Sequence, residues 1–218
     1  MRGNRLPQTP YLRPRGQSDA RSISNRIVID SLYYDKVLNR RLLLLAPALL
    51  ALPRLRASTS PKQILLIRHA EKSANKTDPN LSPRGLERAA ALPKLFPARF
   101  DTPGFIFATA PAKHSNRPIE TVTPVSRALH VAINSRYTEA SFASLARDVL
   151  GNPNYANATI LISWRHNDLP ALATALKATN HPSRWPDTQF DRVWKISYLA
   201  DQATFADLPQ RLLPGDSE

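Results

Sequence analysis

Two hydrophobic rhythms run along this chain. From residue 62 onward, short aliphatic or β-branched runs alternate with longer stretches whose apolar residues recur every three or four positions, the pattern of strands interleaved with amphipathic helices. Strands are predicted over 63–67 (QILLI), 104–109, 131–135, 159–164 (TILISW) and 193–199. Helices are predicted over 82–95, 118–129, 142–150 and 168–178. Ser82-Pro83 marks the first helix start: a serine hydroxyl satisfies an otherwise free N–H, and proline in the first turn has no N–H to lose. The alternation predicts an α/β class, a three-layer α/β/α sandwich with a largely parallel central sheet.

Upstream of residue 58 neither rhythm is present. Residues 1–36 mix Arg, Pro, Gly, Ser and Asn around one apolar patch at 27–29, and the expectation is a disordered tail outside the native protein. Residues 37–57 then run in the order of a secretory signal: Arg40 and Arg41, an apolar stretch over 42–52, and a small residue at Ala57. That stretch is too short to span a hydrocarbon layer of about 30 Å, so no stable membrane span is expected. The segment implies export to the periplasm or the exterior if it is used, and a cytoplasmic protein otherwise. Its start at residue 37 points to Val37 as an alternative initiation site, and the arginine pair before leucines resembles a twin-arginine signal. The remaining residues, 58–218, form the expected folded domain.

Composition narrows the partner classes. At 218 residues with 42% hydrophobic and 22% charged positions, the chain has material for one ordinary core. The net charge of +13 suggests nucleic acid until it is divided: residues 1–57 carry 11 basic against 3 acidic side chains, leaving 19 against 14 for the rest. The domain is therefore only modestly basic, which suits a small anionic substrate and argues against a nucleic-acid partner. With no cysteine, a disulfide framework, a thiolate zinc site and a cysteine nucleophile are all excluded.

Ligands of open α/β sheets bind beyond the carboxyl ends of the strands, and two histidines fall there. His69 follows ILLI and Arg68, and His166 follows ILISW and Arg165; although 97 positions apart, both imidazoles are expected in one cleft. The segment RHAEKSAN, residues 68–75, resembles the RHGExxxN signature of the histidine phosphatase (phosphoglycerate mutase-like) superfamily. Three further segments resemble that family in the same order: LSPRGLERA (81–89), FATAPAKHSNRPIET (107–121) and ILISWRHNDLPALATAL (160–176). The resemblance covers residues 62–199. It implies the phosphoglycerate mutase-like fold, with His69 as a covalent phosphoryl carrier, Arg117 as a second pocket arginine, and His166 as the second active-site histidine. It also implies a metal-independent phosphoric monoester hydrolase with no cofactor, acting on a small phosphorylated substrate or a phosphoprotein. Three departures stand out. Ala70 replaces the usual glycine, Asn167 follows the second histidine, and six positions rather than three separate Pro111 from Arg117.

The chemistry supports the same residues. Phosphoryl transfer is helped mainly by positioning and by donors aimed at the oxygens. Arg68 and Arg117 offer planar paired donors, and His166 and Asn75 one more each. Neutral imidazole attacks phosphorus without first losing a proton, provided its other nitrogen is held as a donor. The leaving alkoxide needs a proton, and Glu139, in SRYTEASFA, resembles the family's acid segment; Asp168 is the rival. Strand alternation aims Arg165 away from His166 and makes it a surface or packing arginine. Lys72 is weighed as an addition to the phosphate field, while His114, His130 and His181 lack a partner pattern. Trp164, Trp185 and Trp194 are read as core or rim aromatics. The competing readings are a metal hydrolase built on His69-x-Glu71 and His166-x-Asp168, a non-catalytic phosphate-binding domain of the same fold, and a phosphoglycerate mutase-type phosphotransferase.

Overall fold

Six consecutive buried residues, QILLIR, form β1 (Gln63–Arg68) at the middle of the sheet. The computed structural model describes residues 59–75 and 77–218, so the tail expected over 1–36 and the signal-like segment over 37–57 lie outside the described residues. The sheet has six strands in the order β3-β2-β4-β1-β5-β6. β2 (Phe105–Ala108), β3 (Ile133–Asn134) and β4 (Thr159–Trp164) join β1 in parallel pairings, whereas β5 (Arg192–Leu199) and β6 (Gln202–Pro209) are antiparallel.

Alternation along the strands builds two cores, one on each face. Ile64, Leu66, Ile160, Ile162 and Trp164 point to one side, where Leu145 and Val149 of α3 (Phe142–Gly151) and Leu169 and Leu172 of α4 (Leu169–Ala175) cover them. Leu65, Ile67, Leu161 and Ile106 point to the other, covered by Val122 and Val125 of α2 (Arg117–Leu129) and by Leu92 and Leu95, which follow α1 (Pro83–Ala91). This is the three-layer sandwich that strand-helix alternation demands. Trp164, Trp185 and Trp194 are all sealed into it.

Three local departures have physical causes. The helix expected over 82–95 becomes a 3-10 turn at Leu92–Leu95, because Pro93 has no N–H for the α-helical ladder. The last helix ends at Ala175, and Lys177 turns the chain through a φ of 64°. β6 escaped the hydrophobic pattern because QATFADLP is half-exposed along its length; it is a strand through its ladder to β5, entered by a turn at Ala200 and Asp201 with φ of 47° and 64°. Among the described residues no helix is long and apolar enough to cross a membrane.

Candidate active site

Parallel pairing of β1 with β4 sets Arg68 opposite Trp164, and the His69 N–H donates to Trp164 O at 3.1 Å. Residues just past the two strands therefore emerge side by side, which brings the His69 and His166 segments to one edge. His69 is 4% exposed, and its Nδ1 lies 2.7 Å from Ala70 O. A carbonyl can only accept, so Nδ1 carries the proton and Nε2 keeps its lone pair. Burial pushes the ring down to about 3 against the opposing pull of the Ala70 bond, and the fields of Arg68, Arg117 and His166 add to the depression. The imidazole is neutral at any ordinary pH.

The loop after β1 is held by the first turn of α2. Ala70 N–H donates to Thr121 Oγ1 at 2.9 Å, and that hydroxyl donates to Arg117 O at 2.7 Å. From the other side, α1 comes so close that a Cβ at Gly85 would sit 2.3 Å from Glu71 O. Only glycine allows that approach.

Arg68 is 1% exposed. Its Nη1 donates to the carbonyls of Pro186, Asp187 and Gln189 at 3.2, 2.7 and 3.1 Å, and the Phe190 ring lies 3.8 Å from its Cζ. Its Nε and Nη2 are buried without a partner. Burial lowers this guanidinium to about 10, against the pull of Asp187 and Glu71; it remains charged, with two donors unspent.

Arg117 opens α2, with Pro118 in its first turn. The extra residues ahead of it close into a small turn: Ala112 N–H bonds Ser115 O at 3.1 Å and Ser115 N–H bonds Ala112 O at 3.0 Å. The insertion thus returns the chain to Arg117 instead of displacing it. Nη1 donates to Asp78 O at 2.9 Å and Nη2 to His114 O at 3.2 Å, while Nε is buried and unpartnered. Arg117 lines two cavities, one of about 350 Å³ shared with Lys72 and Asn75 and one of about 230 Å³ shared with Ser115, Glu139 and Arg165.

His166 places Nε2 3.2 Å from Asp187 Oδ1, with Nδ1 buried and unpartnered. Burial lowers its pKa first and Arg68 second, and with Lys72 and Arg165 they outweigh the largely exposed Asp187 carboxylate. Asp187 carried no signal in the sequence, since SRWPDTQF reads as an ordinary loop. Only tertiary folding makes its carbonyl a rest for Arg68 and its carboxylate a partner of His166.

The two acid candidates sit in one network. Glu139 Oε2 accepts from Arg165 Nη1. Asp168 is pushed up by burial, with Arg165 pulling it down and Glu139 pushing it further up. Arg165 therefore corrects the expectation of a bystander: it faces the smaller cavity with Arg117 and Glu139. The reason is that β4 ends at Trp164, so strand alternation no longer governs residue 165. Asn75 lines the larger cavity, but its Oδ1 is turned back on the Thr77 N–H and hydroxyl at 3.1 and 2.8 Å. Its amide nitrogen is thus the end with donors to offer.

Glu71 has a structural assignment. It receives Arg88 Nε and Nη2, with Nη2 at 2.8 Å, while Arg88 also binds Asp216 and Gln210. That commits the carboxylate of the His69-x-Glu71 pair elsewhere. Among the described residues no group of three or more His, Cys, Asp or Glu side chains is arranged to hold a metal ion.

No family profile and no curated protein sequence matches this chain. Solved structures do. A candidate alpha-ribazole-5'-P phosphatase from Escherichia coli superposes with a TM-score of 0.50 at 16% identity, over 71% of this chain and 98% of that one. The domain has the phosphoglycerate mutase-like fold of the histidine phosphatases. Two further structures overlap less well with this histidine phosphatase fold. A mycobacterial glucosyl-3-phosphoglycerate phosphatase has a TM-score of 0.48 at 12% identity, covering 68% of this chain and 97% of its own. The alpha-ribazole phosphatase of Shigella flexneri has 0.45 at 16%, covering 71% and 100%.

Proposed function

We propose that this protein is a phosphatase that hydrolyses a phosphate monoester or a phosphorylated protein through a phosphohistidine on His69. The observation that carries the reading is the pairing of a neutral, tautomer-fixed His69 with unspent buried donors: Arg68 Nε and Nη2 and Arg117 Nε. Buried donors are ordinarily satisfied, and three guanidinium nitrogens in the electrostatic neighbourhood of one imidazole suit a tetrahedral oxyanion. Nε2 of His69 forms the N–P bond as the ester P–O bond breaks, and the leaving oxygen takes a proton from a carboxylic acid. Water then attacks phosphorus and passes a proton to that carboxylate, the N–P bond breaks, and inorganic phosphate leaves with neutral His69 and the carboxylic acid restored.

His166 contributes through both ring nitrogens. Asp187 engages Nε2, and a phosphate oxygen at Nδ1 would accept a second bond, so bound substrate favours the imidazolium, which donates from both sides. For the acid, Glu139 lines the cavity that it shares with Arg117 and Arg165, whereas burial pushes Asp168 above the usual carboxylate range. The proton is accordingly assigned to Glu139, with Asp168 as the alternative. Glu139→Gln and Asp168→Asn separate them: the true acid variant loses most with a poor leaving group and least with a chromogenic aryl phosphate.

The decisive experiment is rapid quench of the wild-type protein with a chromogenic phosphate ester, followed by mass spectrometry for phosphate on His69. Steady turnover with no label on His69 would end this mechanism. Tight binding of inorganic phosphate without turnover selects the non-catalytic phosphate-binding domain, and label transfer to a second acceptor molecule selects a mutase-type phosphotransferase.

A further inference from the structure

Glu139 stands at the crest of a bend between β3 and α3, and the approach to that bend is gripped by one side chain further along α3. Asp148 lies 11 and 12 positions beyond Tyr137 and Arg136, yet its Oδ2 accepts from the Tyr137 hydroxyl at 2.9 Å and from Arg136 Nη2 at 2.7 Å. Arg136 Nη2 also reaches the Tyr137 hydroxyl at 2.6 Å, so the three groups close a triangle. Tyr155 OH, at 3.5 Å, and Asn152 Nδ2, at 3.4 Å from Oδ1, bring a third and a fourth donor to the same carboxylate. An isolated ion pair near the surface holds little, but a carboxylate gathering four donors from separate stretches of chain is a network, and a network fixes its members.

This grip lies outside the phosphate pocket, since Asp148 lines neither cavity beside Arg117. It reaches the pocket through the backbone. Tyr137 O accepts the Ala110 N–H at 2.7 Å, which ties the bend to the residues that leave β2 on their way to Arg117. The Tyr137 ring lies 6.4 Å from Phe107, itself sealed in the core. Beyond Glu139, the Ser141 N–H donates to Thr138 O at 2.9 Å and the two hydroxyls meet at 2.7 Å, so the crest is one tight turn. The Glu139 carboxylate bonds Arg165, whose side chain is 40% exposed; its aim therefore depends on the backbone as well. A displacement of about 1 Å caused far from the chemistry can cost about 10²-fold in rate.

The geometry points to Asp148 as a positioning residue: through Tyr137 and Arg136 it holds the bend that aims the Glu139 carboxyl at the leaving oxygen. The inference rests on Glu139 being the acid of the phosphatase reading, and the test separates the two.

The test compares the whole wild-type chain with Asp148→Ala and Tyr137→Phe on ethyl phosphate and p-nitrophenyl phosphate, and follows hydrogen exchange at the Ala110 and Ser141 amides. Asp148→Ala is expected to lower kcat/KM for the alkyl ester about tenfold more than for the aryl ester, because only the poor leaving group needs the proton. In a Glu139→Gln background the same substitution is expected to leave the ratio of the two esters unchanged, since no acid remains to be aimed. Tyr137→Phe deletes one hydroxyl and shifts the ratio about two- to fivefold, which keeps the test open if the aspartate variant misfolds. Exchange at Ala110 and Ser141 is expected to quicken about tenfold in Asp148→Ala, while the β1 and β4 amides keep their rates. Equal losses on both esters, a ratio that shifts as far in Glu139→Gln, or unchanged exchange overturns the positioning role. Quickened exchange in a protein whose wild type turns over no phosphate ester sinks the phosphatase reading and leaves the grip on the bend standing. Turnover with an unshifted ratio does the reverse.

Discussion

Arg68 and Arg88 are both sealed, at 1% and 3% exposure, yet they live in opposite surroundings. Every donor nitrogen of Arg88 meets an acceptor on Glu71, Asp216 or Gln210, and its charge is held firmly above the usual arginine range by those two carboxylates in spite of burial. Arg68 spends one nitrogen on three carbonyls, keeps two nitrogens unbonded, and is lowered to about 10. A buried charge with all partners in place is scaffold, since breaking it strands the others. A buried charge with donors in hand is an unfinished site, and an anion completes it. Arg88 ties α1 to the loop after β1 and to the segment around Asp216, and that tie steadies the backbone from which Arg68 and His69 project.

The sharpest break in this comparison is His69→Ala. It is expected to lower turnover of a phosphate ester by about 10³-fold or more, because no other group replaces the nucleophile; stopped assays at saturating substrate read it. Next comes the arginine pair. Arg88→Met leaves the half-buried Glu71 and Asp216 without their buried cation and is expected to cost about 3–5 kcal/mol of stability, seen in urea unfolding. Arg68→Met instead lowers kcat/KM by about 10²–10³-fold, the scale of one lost oxyanion donor, with a smaller shift in unfolding midpoint. If both variants lose stability equally and activity equally, the distinction between scaffold and site is wrong.

Gly85→Ala sharpens the same point from the backbone. Its methyl would meet Glu71 O at 2.3 Å, so α1 must retreat, at a cost of about 1–3 kcal/mol, and the fall in activity should follow the fall in folded fraction. The last effect is in acid. His69 is held at about 3, below its ordinary 6.5, so below pH 6.5 the unfolded chain takes up a proton that the folded one refuses. Stability therefore declines as pH falls from 6.5 towards 3, and His69→Asn flattens that slope. Asp216, held at about 2, adds a second loss as pH falls from about 4 to about 2. If His69 is the nucleophile proposed above, its neutrality means that the acid limb of kcat/KM should not begin at pH 6.5 through it; a limb at lower pH that vanishes in a His166 variant would assign that limb to the other ring.

Much of the domain could be read in advance where a residue's role depends on its immediate neighbours. QILLI and TILISW were read as strands because short runs rich in isoleucine and leucine suit a sheet covered on both faces, and β4 occupies the predicted residues. Ser82 caps α1 through its hydroxyl, 3.1 Å from the Gly85 nitrogen, because that bond needs only three residues of chain. The order of the RHAEKSAN, LSPRGLERA, RPIET and ILISWRHN segments likewise picked out His69, Arg68, Arg117 and His166 as candidates for one site.

What stayed hidden depended on partners far along the chain. Arg88 carries no signal of its role in the sequence, because its partners Glu71 and Asp216 lie 17 and 128 positions away. Arg165 was misassigned because its direction is set by Glu139, 26 positions earlier, after the strand has ended. Asp187 acquired a role only when its loop folded over Arg68. The sequence by itself determined the strands, the helix starts and the chemical inventory, since hydrophobic period and capping are local. Which charged groups are satisfied and which remain available was decided only by the tertiary structure, because burial and distant partners together set that balance.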